Sequence, residues 1–372
     1  MTARRVPLSV LDLVPVTSGT SPGDALGDTL NLVRNVEAAG YHRYWFAEHH
    51  FNDGVIGSAP ALLIALAGAV SSRIRLGSGA VQLGHRTALS VAEEFGLLSI
   101  AFPGRIDLGL GRSGGASPAA PAPERTSYTT PEGLLIPPAF TRWDRLLGSP
   151  RFTAYRDLLV WPGAENVDYD EQVGTVIDLL TGKHTTDGGV DLAVPAAPVG
   201  QEPQVWILGS GAGVSATTAG RRGLPFAANY HVAPSSVLEA VRAYRESFVP
   251  SPRSEKPWVQ VSVDVVVADS DSAARTLAAG YAPWVHSIRS GQGAINYPTP
   301  AEAAEFRTTA EDRELVADRV DTQFVGSPKT VVEKLEVLQR ATGAEELLIT
   351  TITHDHTDRV RSYDLLAQAW GP

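Results

Sequence analysis

Eight short apolar runs recur along this chain, at residues 6–14, 41–47, 73–80, 105–111, 204–208, 224–229, 258–268 and 346–352. Runs of this length bounded by turn residues have the pattern of buried strands. Between them lie stretches with helical signals. Ser21-Pro22 opens one, with Leu26, Leu30, Val33 and Val36 at three- and four-residue spacing and Gly40 at its end. Residues 60–70 are apolar nearly all round, as in a buried helix. Ser90 and Glu93 are spaced as a capping box for the next, as are Ser236 and Glu239 further on. Ser327-Pro328 and Gly343 bracket another, and residues 360–369 close the chain as a helix. Strands that alternate with helices indicate parallel βα units. A doubly wound sheet and a closed barrel both satisfy alternation. Eight units with no compositional break halfway favour an α/β fold, a (β/α)8 TIM barrel spanning 1–372 as a single domain.

Two long segments interrupt the alternation, 113–165 and 286–322. The first is dense in Pro, Ala, Ser and Thr up to Pro138, then aromatic-rich, with a short helix or hairpin expected. The second carries Gly291-Gln292-Gly293 without sustained periodicity and is expected to be irregular. They follow the fourth and seventh strands. In a barrel both lie on the C-terminal face, where active sites are built.

The net charge of −10 and pI near 5.4 argue against nucleic acid or an anionic membrane as partner, since both require a basic footprint. The absence of cysteine removes disulfides and thiolate chemistry. The first residues do not form a convincing signal peptide, and no run is long enough to span a bilayer, so a cytoplasmic location is expected.

Several strand ends carry chemistry. The second run stops at Glu48-His49-His50; two imidazoles there suit acid–base or ligand roles, and equally a structural one. Residues 109–114 match the glycine spacing of a dinucleotide fingerprint, but the proline-rich stretch beyond forbids the helix that pattern requires. Arg112 remains, a guanidinium at a strand end suited to phosphate. The fifth run leads into Gly209-Ser210-Gly211-Ala212-Gly213-Val214-Ser215 and then a helix, whose amides and small residues suit a phosphate. Together these favour phosphate binding over an unliganded turn. His354-Asp355-His356 has metal-ligand spacing and with His49 and His50 could build a metal site, yet Asp355 or Thr357 as a helix cap is the favoured reading, and no metal is expected. Glu48 and His231 are expected to wall the substrate pocket.

The order of several motifs resembles the bacterial-luciferase-like, flavin-dependent oxidoreductase family. They are residues 41–50, 72–79, 103–112, 205–210, 223–227 and the C-terminal 351–366. The resemblance implies reduced FMN from a separate flavin reductase, O2 as co-substrate through a C4a-hydroperoxyflavin, a small organic substrate and a homodimer. It implies that His49 is the active-site histidine. Arg112, Ser210, Gly211, Ala212 and Ser215 would hold the phosphate, and Gly79-Ala80 would form a cis peptide beneath the flavin. It casts 286–322 as a mobile lid. A deazaflavin (F420)-dependent hydride-transfer enzyme, a non-catalytic flavin-binding protein and a metal-dependent hydrolase remain alternatives on the same barrel.

Overall fold

A computed structural model describes residues 5–112, 126–160, 162–164 and 167–371. Its centre is a closed ring of eight parallel strands: Leu8–Asp12, Arg43–Phe46, Arg75–Ser78, Ile106–Gly111, Gln204–Gly209, Phe226–Asn229, Val259–Val267 and Glu346–Thr350. Each pairs with the next, and the eighth returns to the first through Leu8↔Leu347. Helices connect successive strands on the outside, so the fold is the (β/α)8 barrel expected, and each of the eight apolar runs falls on one of its strands.

The strand pleat sorts the side chains. On the second strand Tyr44 and Phe46 face outward, into an apolar layer shared with Leu32, Val33 and Val36 of helix Pro22–Ala38. Arg43 and Trp45 face inward. Arg43 closes the N-terminal end of the bore by pairing with Asp107 at 2.8 Å and Glu346 at 3.1 Å. Both carboxylates are buried, and Gln260 and Ser9 also donate to Glu346. Buried charges require this degree of pairing to offset their desolvation. Above them Trp45 meets Trp206 edge to face, with ring centroids 5.1 Å apart. Gly77 leaves room for this layer, because a Cβ there would lie 2.6 Å from Asp107 Cβ. The chemistry is therefore confined to the opposite, C-terminal mouth.

Helix Pro22–Ala38 begins as its sequence predicts, with Ser21 and Asp24 forming a reciprocal capping box. Two other starts differ. Helix Ala88–Ala101 begins two residues before Ser90, with Thr87 accepting from the Ser90 amide. Ser236 precedes helix Val237–Ser247, but its hydroxyl turns away to the carbonyls of Ser210 and Ala233. A competing tertiary acceptor takes the group that local pattern assigns to capping.

The long segments acquire more structure than composition suggests. After the fourth strand, residues 113–125 lie outside the described part of the chain. Beyond them come a short hairpin (Tyr128–Thr129 with Leu135–Ile136) and helices Trp143–Leu147 and Pro150–Leu159. After the seventh strand, 286–322 is not irregular. It contains the end of helix Tyr281–Arg289, then Pro300–Glu305 and Ala310–Val320. Trp284, Tyr297, Leu315 and Val316 pack onto the barrel mouth with Leu11, Trp45 and Trp206. The apolar residues are spread over two short helices and the coil between them, too brief to show periodicity, and the barrel supplies their partner surface.

Candidate active site

The second strand ends at Phe46, and the loop after it places its three polar residues differently. His49 lines a cavity of about 470 Å³ at the C-terminal mouth, with Phe51, Val55, Tyr155 and Leu158 among its other walls. The ring is open to the cavity but ringed by protein. That desolvation, followed by the field of His50 and reinforced by Arg319, pulls its pKa from 6.5 to about 4. It is neutral at pH 7. Phe51 holds a positive φ of 53°, a strained value for an aromatic residue.

Glu48 and His50 turn away from that cavity. Glu48 is buried, and its Oε1 lies 2.9 Å from Nε2 of both His50 and His85. The Gln82 amide donates to Oε2 at 3.1 Å. Burial alone would raise the carboxyl pKa, but the bonds from His50, His85 and Gln82 outweigh it and bring it to about 2. Glu48 is thus not a wall of the cavity, contrary to the expectation from sequence. Tyr155, which is, reaches the cluster through its hydroxyl bond to Gln82 Oε1 at 3.0 Å.

The phosphate-binding candidates converge. Gly111 is in register with Leu208, so Arg112 follows the fourth strand beside the turn that follows the fifth. The Tyr169 hydroxyl, which donates to the Leu110 carbonyl at 3.1 Å, feels the charge of Arg112 and the Ser215 hydroxyl; burial, the larger influence, pushes its pKa up. Helix Val214–Arg221 starts at Gly213 without a side-chain cap. Space is open around Gly211 and Gly213, where an added Cβ would meet no atom within 4 Å. Ala212 is exposed beside them. The peptide between Gly79 and Ala80 is cis, as the sequence resemblance implies, and Ala80 abuts Gly111, whose Cβ position is 3.1 Å from that of Ala80.

A chain of polar contacts runs from the phosphate turn to His231. Ser210 Oγ accepts from Asn229 Nδ2 at 2.8 Å, Asn229 Oδ1 accepts from Ser262 at 3.2 Å, and Ser262 lies 2.6 Å from His231 Nδ1. Burial, then Arg319 and His49, hold the His231 pKa well below its usual value. His231 therefore stands within the electrostatic reach of His49, although it is not a wall of the His49 cavity.

Sequence reasoning passed over Asp264, Tyr281 and Arg319. Tyr281 donates to the Asp264 carboxylate, and Arg319 donates to Tyr281 at 2.9 Å and reaches Asp264 at 3.4 Å. All three are buried, and Arg319 acts on both His49 and His231. The signal available was Asp264, a lone acid in an otherwise uncharged strand. The C-terminal histidines are structural: Asp355 caps helix His356–Trp370, His354 Nε2 is 2.9 Å from the Ser18 carbonyl, and His356 Nε2 is 2.8 Å from Asn31 Oδ1.

Comparison with known proteins places this geometry. A Bacillus subtilis (strain 168) protein, YvbT, is 32% identical over 365 residues, covering 98% of this chain and 96% of its own. A luciferase-like monooxygenase of Escherichia coli (strain K12) is 30% identical over 365 residues, covering 98% and 97%. The N-acetyl-S-alkylcysteine monooxygenase of Bacillus subtilis (strain 168) is 47% identical, but over 108 residues, 29% of this chain and 32% of that protein. Among solved structures, apo-MsnO8 superposes with a TM-score of 0.79 at 32% identity, covering 99% of this chain and 98% of its own. Fold likeness alone extends to the oxygenating constituent of 3,6-diketocamphane monooxygenase from Pseudomonas putida in complex with FMN (TM-score 0.66, 19% identity, covering 98% and 97%). It extends also to an F420-dependent secondary alcohol dehydrogenase (TM-score 0.60, 15% identity, covering 99% and 100%). The sequence pattern of luciferase-like monooxygenases matches residues 6–129 and 173–345. With most of its length matched and the barrel, strand-end residues and cis peptide in place, the chain belongs to the luciferase-like monooxygenase family.

Proposed function

We propose that this protein is a monooxygenase that uses reduced FMN and O2 to oxygenate a small organic substrate. The observation that carries the reading is the convergence of Arg112 with the uncapped start of helix Val214–Arg221, at the same C-terminal end of the barrel as a cavity lined by a neutral histidine. These residues fit FMN. Arg112, Ser210, Ser215 and the amides that open the helix would take the phosphate, with Gly211 and Ala212 leaving it room. Gly79 and Ala80 would support the ring. When bound, reduced flavin supplies the two electrons that let one oxygen atom enter the substrate while the other leaves as water.

The protein's part is to bind, orient and exclude water. His49, neutral at working pH, can accept a proton from the substrate or donate a hydrogen bond at the reacting end of the cavity. Helices Tyr281–Arg289 and Ala310–Val320 seal the mouth with apolar side chains. Relatives support oxygenation over hydride transfer to or from F420: those named monooxygenases reach 30% identity over most of the chain, whereas the F420-dependent dehydrogenase is a likeness of fold alone. The name of the Bacillus subtilis N-acetyl-S-alkylcysteine enzyme supports a thioether among the first substrates to try.

A reductase partner and a homodimer belong to the same reading. Support for the dimer is an apolar face on adjacent helices: Leu62 and Leu66 on Pro60–Val70, and Leu89, Leu97 and Ile100 on Ala88–Ala101, are all exposed. Among the described residues no helix is long and apolar enough to cross a membrane. The test supplies reduced FMN or reduced F420 to the purified protein and follows binding and oxygen uptake with a thioether. Oxygen-dependent product with FMN alone is expected; turnover only with F420, without O2, overturns the reading.

A further inference from the structure

We propose that Glu48, His50 and His85 form a binding site for one divalent transition-metal cation of the zinc class. One ligand atom from each residue lies within 4.8 Å of the other two. The donor set, two imidazole nitrogens and a carboxylate oxygen, is one that zinc and its neighbours accept, with a fourth position open.

The set is built rather than fortuitous. The carboxylate is buried, with both ring nitrogens and no bulk solvent around it. The Gln82 amide fixes the second carboxylate oxygen, as outer hydrogen bonds do around bound metals. Both ring nitrogens stand 2.9 Å from Glu48 Oε1. A tetrahedral ion with bonds of about 2.1 Å sets its ligands about 3.4 Å apart. Small rotations of the two rings therefore convert the hydrogen-bonded cluster into a coordination shell. The rings also sit edge to face, with centroids 5.2 Å apart, which leaves both nitrogens turned toward the same acid.

The location gives the site a consequence. Glu48 and His50 flank His49, and His85 comes from the 3-10 turn Leu83–His85 that leads into helix Ala88–Ala101. A cation here clips two mouth loops together directly behind the proposed active-site histidine. It shares His50 with the set that sequence spacing offered, but not His354 or Asp355, which are engaged elsewhere.

The test needs no turnover. Flavin-free protein, stripped with chelator, is titrated with Zn2+ by calorimetry and with Co2+ by visible absorption. One equivalent per chain is expected, with the intense bands of a four-coordinate Co2+ centre. Glu48→Gln and His85→Ala should each weaken binding by at least about a hundredfold, since even outer-partner losses cost 10–100-fold. His356→Ala should not change it. Zn2+ should raise the Tm of the wild type and of His356→Ala alone. Should His85→Ala fail to fold, His50→Asn and His85→Gln provide the same comparison. Less than stoichiometric uptake, or uptake unchanged in these variants, marks an adventitious ion only and overturns the proposal, leaving the cluster a hydrogen-bonded brace.

Discussion

Gly111 and Leu208 are register partners across the fourth and fifth strands, and this one pairing brings Arg112 to the turn that begins at Ser210. Nearly a hundred residues separate the two halves of the phosphate cradle, and the barrel's closure removes that distance.

Arg112→Ala should therefore weaken FMN binding. Loss of one charged hydrogen-bonding partner is worth about 1.5–3 kcal/mol, or about ten- to 150-fold in Kd. Fluorescence titration of flavin checks it. An unchanged affinity would remove Arg112 from the cradle.

His49 and His50 should separate in kinetics and in pH response. His49→Ala should suppress oxygen-dependent turnover; His50→Ala should leave more of it, because His50 faces Glu48 rather than the cavity. The folded-state pKa of His49, about 4, lies below its ordinary 6.5, so between those values the unfolded chain holds more protons. Stability therefore rises with pH across this window and is lost as pH falls through it. His49→Ala should flatten that part of the profile in denaturant melts at pH 4 to 7. A wild-type His49 that titrates by NMR near 6.5 contradicts the assignment.

Trypsin should find the segment after the seventh strand at one place. Arg289 is buried and paired with Asp318 at 2.8 Å, whereas Arg307 lies exposed in the coil between helices Pro300–Glu305 and Ala310–Val320. Early cleavage after Arg307 and none after Arg289 is expected from mass spectrometry of timed digests. If the segment opens as a whole, both sites will be cut together.

The exposed stripe on helices Pro60–Val70 and Ala88–Ala101 predicts association. Leu62 and Leu97 are 68% and 67% exposed, more than an isolated surface needs to tolerate. Leu97→Glu should shift the protein from dimer to monomer in light scattering after gel filtration, with unchanged circular dichroism. A wild type that is already monomeric removes the interface.

What the sequence determined by itself was the periodic part. Strand and helix repeats are local: the apolar run ending at Phe46, the Ser21-Pro22 start and the Gly343 stop each carry their own conformational preference within a few residues. Eight such units leave few closed arrangements, so the barrel and the polar strand ends at its mouth were legible. That the end of the fourth strand, before Arg112, lies beside the end of the fifth, before Ser210, was also legible once neighbouring strands were assumed.

Only the tertiary structure decided where each polar group turned. Glu48 was expected in the pocket, but His85, from a different loop, draws it behind the wall. Asp264 and Arg319 meet because helix Ala310–Val320 folds across the mouth; Thr309 and Asp312 cap its start locally, but Leu315 and Val316 find their partners, Trp284 and Tyr281 among them, only in the folded barrel. Contacts of this kind depend on strand register and on surfaces far apart in the chain. No window of sequence contains both partners, and the field of Arg319 that helps keep His49 neutral exists only once helix Ala310–Val320 has folded across the mouth.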